Sequence, residues 1–156
     1  MIYADASFLF SLYAWDDNTL LAQKAYDSDR RRPLFFTPWQ SLELRNAVRL
    51  AAHRLIRAGE TVPFQIGTVF KRIDEDLSAG RLRHRQPDTN DTLTLAEQLS
   101  AEHTEKLGSA AVDLWHVSAA LILRADTFWT FDNDQRRLAL ATKGIRRVPD
   151  LRPSGS

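Results

Sequence analysis

Short apolar runs alternate along the chain with longer stretches in which apolar residues recur at helical spacing. Short runs bounded by polar residues are typical of buried strands, whereas spacings of three and four residues are typical of amphipathic helices. The pattern predicts strands at 2–4, 34–36, 127–131 and 145–148, and an edge strand at 81–85 where arginines alternate with other residues. It predicts helices at 7–13, 19–26, 38–57, 64–77, 92–106, 112–123 and 134–143. Because strands alternate with helices and no hairpin signal occurs, we expect an α/β fold of three layers, α/β/α, around a mostly parallel central sheet.

The helix predicted at 38–57 has a clear start signal. Thr37 stands at the cap position, Pro38 at the first helical position and Gln40 at the third. Glu43 follows in the second turn, on the boundary between the apolar stripe and the polar face. The sequence therefore places this carboxylate close to the beginning of a helix that starts directly after a strand.

The helix predicted at 112–123 is apolar on nearly every side, yet it has an acid, Asp113, in its first turns. A helix that is apolar all round belongs inside a protein. Burial of an isolated ionised carboxylate is strongly unfavourable, so Asp113 must be neutral, hydrogen-bonded, paired with a cation or bound to a metal. Ser109 is the expected cap residue of this helix.

Length and composition narrow the class of protein. The 156 residues suit one domain, expected at 1–150, followed by a disordered tail at 151–156. With 21 basic and 20 acidic side chains the net charge is +1, so any contact with nucleic acid must be local. No cysteine is present, which excludes disulfides, thiolate nucleophiles and cysteine-rich zinc sites. The sequence shows no signal peptide and no membrane span, so we expect a soluble, cytoplasmic protein with no membrane partner.

Four acidic residues are expected at one edge of the sheet. In open parallel sheets the functional crevice lies outside the carboxyl ends of the strands. Asp5 and Asp132 directly follow predicted strands there, and Glu43 and Asp113 lie near helix starts that can face the same edge. Like charges at such a site need a cation, and oxygen ligands without Cys or His are those that Mg²⁺ or Mn²⁺ prefers. The pattern therefore predicts a divalent metal site.

The segments around these acids also carry a resemblance to a known family. They are Ile2-Tyr3-Ala4-Asp5-Ala6-Ser7, Thr37-Pro38-Trp39-Gln40-Ser41-Leu42-Glu43-Leu44-Arg45-Asn46-Ala47, Val112-Asp113-Leu114-Trp115-His116-Val117-Ser118-Ala119-Ala120 and Thr130-Phe131-Asp132-Asn133-Asp134. An acid after a strand is common, but four such motifs in this order are more specific. Together they resemble the motifs of the PIN-domain ribonucleases, particularly the VapC-type toxins of bacterial toxin–antitoxin pairs, over essentially the whole chain.

The resemblance implies a PIN-like domain and a set of roles for individual residues. It implies that the metal site is formed by Asp5, Glu43, Asp113 and Asp132, supported by the polar side chains of Ser7 and Thr130, with Asp134 as an auxiliary metal ligand. His116 follows the usual Asp-x-x-His pattern but is not among the family's ligands. Trp115 departs from the family, in which smaller apolar residues are usual. VapC-type proteins form homodimers and are neutralised by a small antitoxin, so both are expected partners here.

Each of these residues also has an ordinary structural explanation. Asp5 and Asp134 can serve as helix caps, Glu43 can be a solvated acid, and His116 can be a hydrogen-bonded core residue. Contacts with RNA phosphates require basic side chains near the acids. The best candidates are Arg136 and Arg137, because they closely follow Asp132. The other basic stretches are 30–32 and the alternating Arg81, Arg83 and Arg85. Trp15, Trp39 and Trp129 can either stack on bases or belong to the core.

Hydrolysis of RNA phosphodiester bonds by a divalent-metal-dependent endoribonuclease is the leading hypothesis, with a role as the toxin of a toxin–antitoxin pair. One alternative is a catalytically silent PIN-like module that binds RNA or protein. Another is a phosphatase of the haloacid dehalogenase type, although that chemistry generally has a second Asp where this chain has Ser7. Nucleotide-cofactor binding is poorly supported, because no glycine-rich loop follows any strand.

Overall fold

Four parallel strands form a central sheet with helices on both faces. The computed structural model describes residues 1–29 and 32–151. The strands are β1 (Ile2–Ala4), β2 (Leu34–Phe36), β3 (Leu82–His84) and β4 (Thr127–Trp129), in the order β3-β2-β1-β4. The helices are α1 (Ala6–Tyr13), α2 (Thr19–Ser28), α3 (Pro38–Arg57), α4 (Ile66–Ser78), α5 (Thr89–Leu107), α6 (Ala111–Ile122) and α7 (Asn133–Ala141). The predicted α/β fold with three layers is confirmed.

The strand residues divide between two apolar cores, one on each face of the sheet. In β1, Ile2 and Ala4 belong to one core and Tyr3 to the other, and in β4 Trp129 and Phe128 divide in the same way. This alternation follows from the two-residue repeat of a strand. The first core packs against α1 to α4 and the second against α5 to α7. Both faces are covered, as is usual for parallel sheets.

The helix α6 is buried on most sides, as its sequence predicts. Its residues from His116 to Ala120 are almost inaccessible to solvent, and it packs between α5 and α7. The prediction that Ser109 caps this helix is wrong. Ala110 occupies the cap position, and its backbone N–H donates to Asp113 Oδ2 at 3.0 Å. The acid in the third helical position thus accepts the backbone N–H of the cap residue.

The start of α3 agrees with its sequence signal and also ties the helix to β1. Thr37 accepts a hydrogen bond from the backbone of Gln40, and the Gln40 side chain accepts one from the backbone of Thr37. The other side-chain atom of Gln40, Nε2, donates to the carbonyl of Ala4 at 2.5 Å. This buried contact fixes the beginning of α3 beside the carboxyl end of β1, directly before Asp5.

Two predicted strands differ from the structure. β4 ends at Trp129 and not at 131, because the Thr130 hydroxyl accepts a hydrogen bond from the backbone N–H of Asp132 and turns the chain. The strand predicted at 145–148 is reduced to a single parallel bridge between Thr127 and Arg147, and Pro149, which has no N–H to donate, follows shortly after. The predicted disordered tail lies outside the described residues except for Leu151.

The strand order places a topological switch point between β1 and β4. The helix that follows β1 packs on one face of the sheet, and the helix that follows β4 packs on the other. Ligands of open α/β sheets bind in the crevice that such a reversal creates at the carboxyl ends of the strands. Asp5 and Asp132 follow these two strands.

No helix in the described part of the chain has both the length and the apolar character that crossing a membrane requires.

Candidate functional site

Asp5 is the most buried acid at this edge, with 3% of its surface exposed. Its Oδ1 accepts hydrogen bonds from the backbone N–H of Phe8 at 2.9 Å and from the Ser7 hydroxyl at 2.7 Å. Its Oδ2 accepts one from the Thr130 hydroxyl at 2.6 Å. Burial raises the pKa of Asp5 even though these three hydrogen bonds act in the opposite direction. Asp5 caps α1 with one oxygen and faces Thr130 with the other.

Thr130 joins Asp5 to Asp132. While its hydroxyl donates to Asp5, the same oxygen accepts the backbone N–H of Asp132 at 2.8 Å. The Ser7 hydroxyl accepts the backbone N–H of Phe131 at 3.0 Å. The loop after β4 is therefore held against the start of α1 by two hydroxyl groups. Both hydroxyl groups also donate to the carboxylate of Asp5.

Asp132 and Asp113 are linked through Gln135. Asp132 is solvent-exposed and caps α7, with Oδ1 accepting the backbone N–H groups of Asp134 at 2.8 Å and Gln135 at 3.0 Å. The buried side chain of Gln135 donates from Nε2 to Asp113 Oδ1 at 3.4 Å. Desolvation raises the pKa of Asp113, the charges of Asp132 and Asp134 raise it further, and the backbone of Ala110 lowers it. Negative charge is thus crowded at this point.

Glu43 is connected to the same region by its contact with His116. His116 is buried, and its Nε2 lies 2.5 Å from Glu43 Oε2 while its Nδ1 lies 2.9 Å from the Tyr3 hydroxyl. The contact with Glu43 is close but not oriented as a hydrogen bond, so Glu43 Oε2 is a buried acceptor with no hydrogen-bond partner in the described residues. The charge of His116 also acts on both Asp5 and Asp113 and lowers their pKa values.

The structure therefore brings the four predicted acids into one connected region at the carboxyl edge of the sheet. Direct hydrogen bonds run from Asp5 through Thr130 to the backbone of Asp132, and then through Gln135 to Asp113. Glu43 joins this region through the imidazole that lies within electrostatic reach of Asp5 and Asp113. Each acid comes from a different segment of the chain.

The auxiliary residues at the start of α7 are engaged in pairs of their own. Asp134 is exposed and accepts a hydrogen bond from Arg137 at 2.7 Å. Arg136 lies 3.7 Å from Asp150, and its Nε is buried without a hydrogen-bond partner among the described residues. Within the described residues, neither arginine has a recorded ion pair with Asp5, Glu43, Asp113 or Asp132.

The acids match a hard divalent cation in ligand chemistry, although they are not gathered around one point. All four offer carboxylate oxygens, burial raises the pKa of Asp5 and Asp113, and an acceptor of Glu43 is unsatisfied. A cation would compensate each of these features. As the side chains stand, however, no group of three or more His, Cys, Asp or Glu residues within 1–29 and 32–151 is arranged to hold a metal ion.

Two glutamines at this edge were not identified from the sequence as site residues. Gln40 was expected only as part of a helix cap, yet it also binds the carbonyl that precedes Asp5. Gln135 bridges two acids, and its Oε1 is a buried acceptor without a partner in the described chain. Its position three residues after the cap residue Asp132 is the only sequence signal it has, and that signal predicts a local helix cap and not a contact with α6.

A cleft of about 540 Å³ begins at the acidic site and runs between α1 and α3. Ser7, Phe131 and Asp132 line its end at the site, while Leu50 and Arg54 of α3 line its other wall. Arg54 is exposed and was not singled out from the sequence. The cleft gives an extended ligand a path away from the site, and its lining includes the cationic Arg54 and the acidic Asp16.

The tryptophans considered for base stacking occupy different environments. Trp129 is 3% exposed and belongs to the first apolar core, so it is a core residue and its ring is not accessible to a base. Trp15 and Trp39 are exposed by 56% and 38%, respectively. Trp39 also contacts Trp115, with the ring centroids 5.7 Å apart and the rings inclined at 51°.

Comparisons with known proteins provide no family assignment. No model of a protein family matches this chain, and no curated protein matches it either.

Proposed function

We propose that this protein is a divalent-metal-dependent endoribonuclease that hydrolyses phosphodiester bonds of RNA. The observation that carries the proposal is that Asp5, Glu43, Asp113 and Asp132 lie in one connected region at the switch point of a parallel sheet. Structural acids are normally distributed over the surface or paired with bases. Here four acids from distant segments share one edge, and burial disfavours the charged form of two of them.

Asp5, Glu43, Asp113 and Asp132 would hold Mg²⁺ or Mn²⁺ in this proposal. When bound, the ion would offset the negative charge of the scissile phosphate and promote ionisation of the attacking water. Ser7 and Thr130 hold both oxygens of Asp5 in place, so that this ligand is oriented before the ion or the substrate arrives. Gln135 has the same effect on Asp113.

The residues at the start of α7 and in the cleft are proposed to position the RNA backbone. Asp134 would act as an auxiliary acid, and Arg136 and Arg137 would contact phosphates once released from their present acidic partners. Arg54 would meet the strand further along the cleft. Such phosphate contacts fix the register of a substrate but do not read its sequence.

Substitution of the acids tests the proposal. Asp5→Asn and Asp113→Asn should each lower Mg²⁺- or Mn²⁺-dependent cleavage of transfer and ribosomal RNA by at least about 100-fold, because each removes a metal-binding charge. Asp91→Asn is a matched control, since Asp91 is an exposed acid in the first turn of α5. It should cleave like the wild type. Thermal unfolding of every variant verifies the fold, and wild-type cleavage by folded Asp5→Asn and Asp113→Asn would refute the assignment.

The same assay separates the two alternatives. A catalytically silent module predicts RNA binding without cleavage under any condition with Mg²⁺ or Mn²⁺. A phosphatase of the haloacid dehalogenase type predicts a covalent phosphoryl group on Asp5, which mass spectrometry of trapped protein would detect. The position that would hold the second acid of such a phosphatase is Ser7, whose hydroxyl instead donates to Asp5.

We extend the proposal to a role as the toxin of a toxin–antitoxin pair, on the basis of the resemblance to VapC-type proteins. A homodimer and a small antitoxin protein are the partners this role implies. A short adjacent reading frame encoding a DNA-binding peptide, and rescue of growth when both are co-expressed, would support it. Growth that is unaffected by expression of active protein alone would contradict the toxin role without affecting the nuclease assignment.

A further inference from the structure

Trp39 and Trp115 form an aromatic pair next to the acidic site. Trp39 lies in the first turn of α3 and Trp115 in α6, and the pair is therefore built from two helices on opposite faces of the sheet. Trp39 is 38% exposed and Trp115 is half-buried. Neither ring belongs to the two apolar cores. The pair places a large aromatic surface at the edge of the site.

The contact between Glu43 and His116 fixes this pair relative to the acids. Glu43 lies one turn after Trp39 on α3, and His116 directly follows Trp115 on α6. Their 2.5 Å contact therefore joins the two helices at the position of the tryptophans. Gln40, which follows Trp39, is bound to the carbonyl that precedes Asp5. The aromatic surface cannot move far from the acids without breaking these contacts.

A purely structural role explains the pair poorly. The indole Nε1 of Trp115 is buried and has no hydrogen-bond partner among the described residues, and an unsatisfied buried donor costs about 1–3 kcal/mol. Trp39 leaves more than a third of a large apolar surface in contact with water. Neither the unpartnered donor of Trp115 nor the exposed surface of Trp39 is accounted for by packing in the two cores.

We propose that Trp39 and Trp115 form a stacking surface that holds an unpaired base of the RNA next to the scissile phosphate. This inference rests on the proposed nuclease function. The two indole rings offer an uncharged aromatic surface, and the part of an RNA that such a surface binds is the π face of a base, which stacks on aromatic rings irrespective of sequence. Bases within a duplex are already stacked and paired, so only loops or unpaired segments can present one.

Binding of single-stranded RNA provides the test. A fluorescent ten-nucleotide single-stranded RNA is titrated in Ca²⁺, which takes oxygen ligands with looser geometry than Mg²⁺, and cleavage is measured separately in Mg²⁺. Trp39→Ala and Trp115→Ala should each weaken binding about 5- to 150-fold, the range that corresponds to loss of one stacked base. Trp39→Phe should largely restore it. Trp15→Ala, which removes an exposed tryptophan outside the site, should bind like the wild type.

Tryptophan emission provides a second readout that does not depend on truncated side chains. Addition of the single-stranded RNA should quench emission of the wild type and of Trp15→Phe, and the quenching should be lost in a Trp39→Phe, Trp115→Phe double variant. A double-stranded RNA of the same sequence should compete poorly. Undiminished binding by folded Trp39→Ala and Trp115→Ala, together with unchanged quenching in the double variant, would overturn the proposal.

The two readouts distinguish failure of the stacking surface from failure of the nuclease function. Cleavage by the wild type with binding insensitive to both tryptophans would reject the stacking surface alone. Tryptophan-dependent binding without cleavage in any metal would reject the nuclease function alone. A wild type that binds no RNA but forms a dimer that Trp39→Ala dissociates would overturn the proposal in favour of a protein–protein contact.

Discussion

At the scale of single residues, burial raises the pKa of two of the acids, Asp5 and Asp113. Asp5 receives three hydrogen bonds that favour its carboxylate form, yet desolvation still raises its pKa. Asp113 is less buried, but its pKa is raised by desolvation and by Asp132 and Asp134. Because the folded state binds a proton at such groups more tightly than the unfolded state, their ionisation at neutral pH reduces stability. A bound divalent cation would reverse that effect.

Asp113→Asn is expected to stabilise the protein at neutral pH while removing its response to metal. A raised folded-state pKa gives a contribution to stability that is complete below the unfolded value of about 3.9 and is lost as pH rises through the folded pKa. The asparagine side chain of Asp113→Asn does not ionise, so the variant does not lose this stability as the pH rises. We expect an increase in Tm on the order of 2 °C at pH 7, after allowance for solvent screening of this half-exposed group, and no increase at pH 3.

The metal response is measured in the same thermal unfolding experiment. At pH 7, Mg²⁺ or Mn²⁺ should raise the Tm of the wild type by favouring the folded state that binds it, and should have a much smaller effect on Asp113→Asn. Asp91→Asn serves again as the control and should respond to metal like the wild type. An equal metal response in wild type and Asp113→Asn would show that Asp113 is not one of the proposed metal ligands.

At the scale of elements, three helices begin at the acidic edge and each has an acid in its first turn or cap. Asp5 caps α1, Asp132 caps α7 and Asp113 lies in the first turn of α6. The positive end of a helix dipole favours negative charge at each of these positions. Capping and metal binding are therefore compatible, because Asp5 and Asp132 each cap through a single carboxylate oxygen.

The fourth helix at this edge, α3, begins with a neutral capping box that can be tested without altering charge. Thr37→Ala should lower the free energy of unfolding by about 1 kcal/mol, because the backbone N–H of Gln40 loses its acceptor. Chemical denaturation measures the change. Thr37→Ser keeps the hydroxyl and should stay close to the wild type, and Thr94→Ala changes an exposed threonine inside α5 and should have little effect. A neutral Thr37→Ala would mean that the cap does not stabilise the start of α3.

Local signals explain which elements could be predicted from the sequence. The strands β1 and β2 and the helix α3 were predicted at or near their observed bounds, since apolar runs and the Thr37-Pro38 start depend on adjacent residues. The end of β4 was not predicted correctly, because the Thr130 hydroxyl accepts the backbone N–H of Asp132 and so ends the strand. The cap residue of α6 was not predicted, because the helix begins one residue earlier than expected and Asp113 accepts the backbone N–H of Ala110, which takes the cap position in place of Ser109.

At the scale of the whole molecule, the sequence predicted which edge the acids occupy but not how they are connected. The carboxyl ends of parallel strands share one edge, so the positions of Asp5 and Asp132 followed from the fold class. The contact of Glu43 with His116 and the bridge from Gln135 to Asp113 join distant segments. Such contacts depend on the relative placement of packed helices, which no periodicity in the sequence encodes.

A second network of long-range hydrogen bonds, away from the acidic edge, also could not be predicted from the sequence. Asp76 on α4 is 8% exposed and accepts hydrogen bonds from the hydroxyls of Tyr13 on α1 at 2.7 Å and Tyr26 on α2 at 3.0 Å. Its other oxygen accepts from Arg81 Nε at 2.7 Å, directly before the edge strand β3. Burial, followed by the charge of Asp76, raises the pKa of Tyr13. One carboxylate thus connects three helices with the edge of the sheet.

Asp76→Ala should therefore destabilise the whole fold and not one element. Two tyrosine hydroxyls and one guanidinium would lose their shared acceptor, and breaking a buried polar pair of this kind costs about 3–5 kcal/mol, which the partial exposure of Arg81 reduces to about 3 kcal/mol. Asp74→Ala is the matched control on the same helix, because its carboxylate is exposed and pairs with Arg45. It should cost less than about 1 kcal/mol. Urea unfolding measures both, and similar free energies of unfolding for the two variants would show that the Asp76 network does not stabilise the fold.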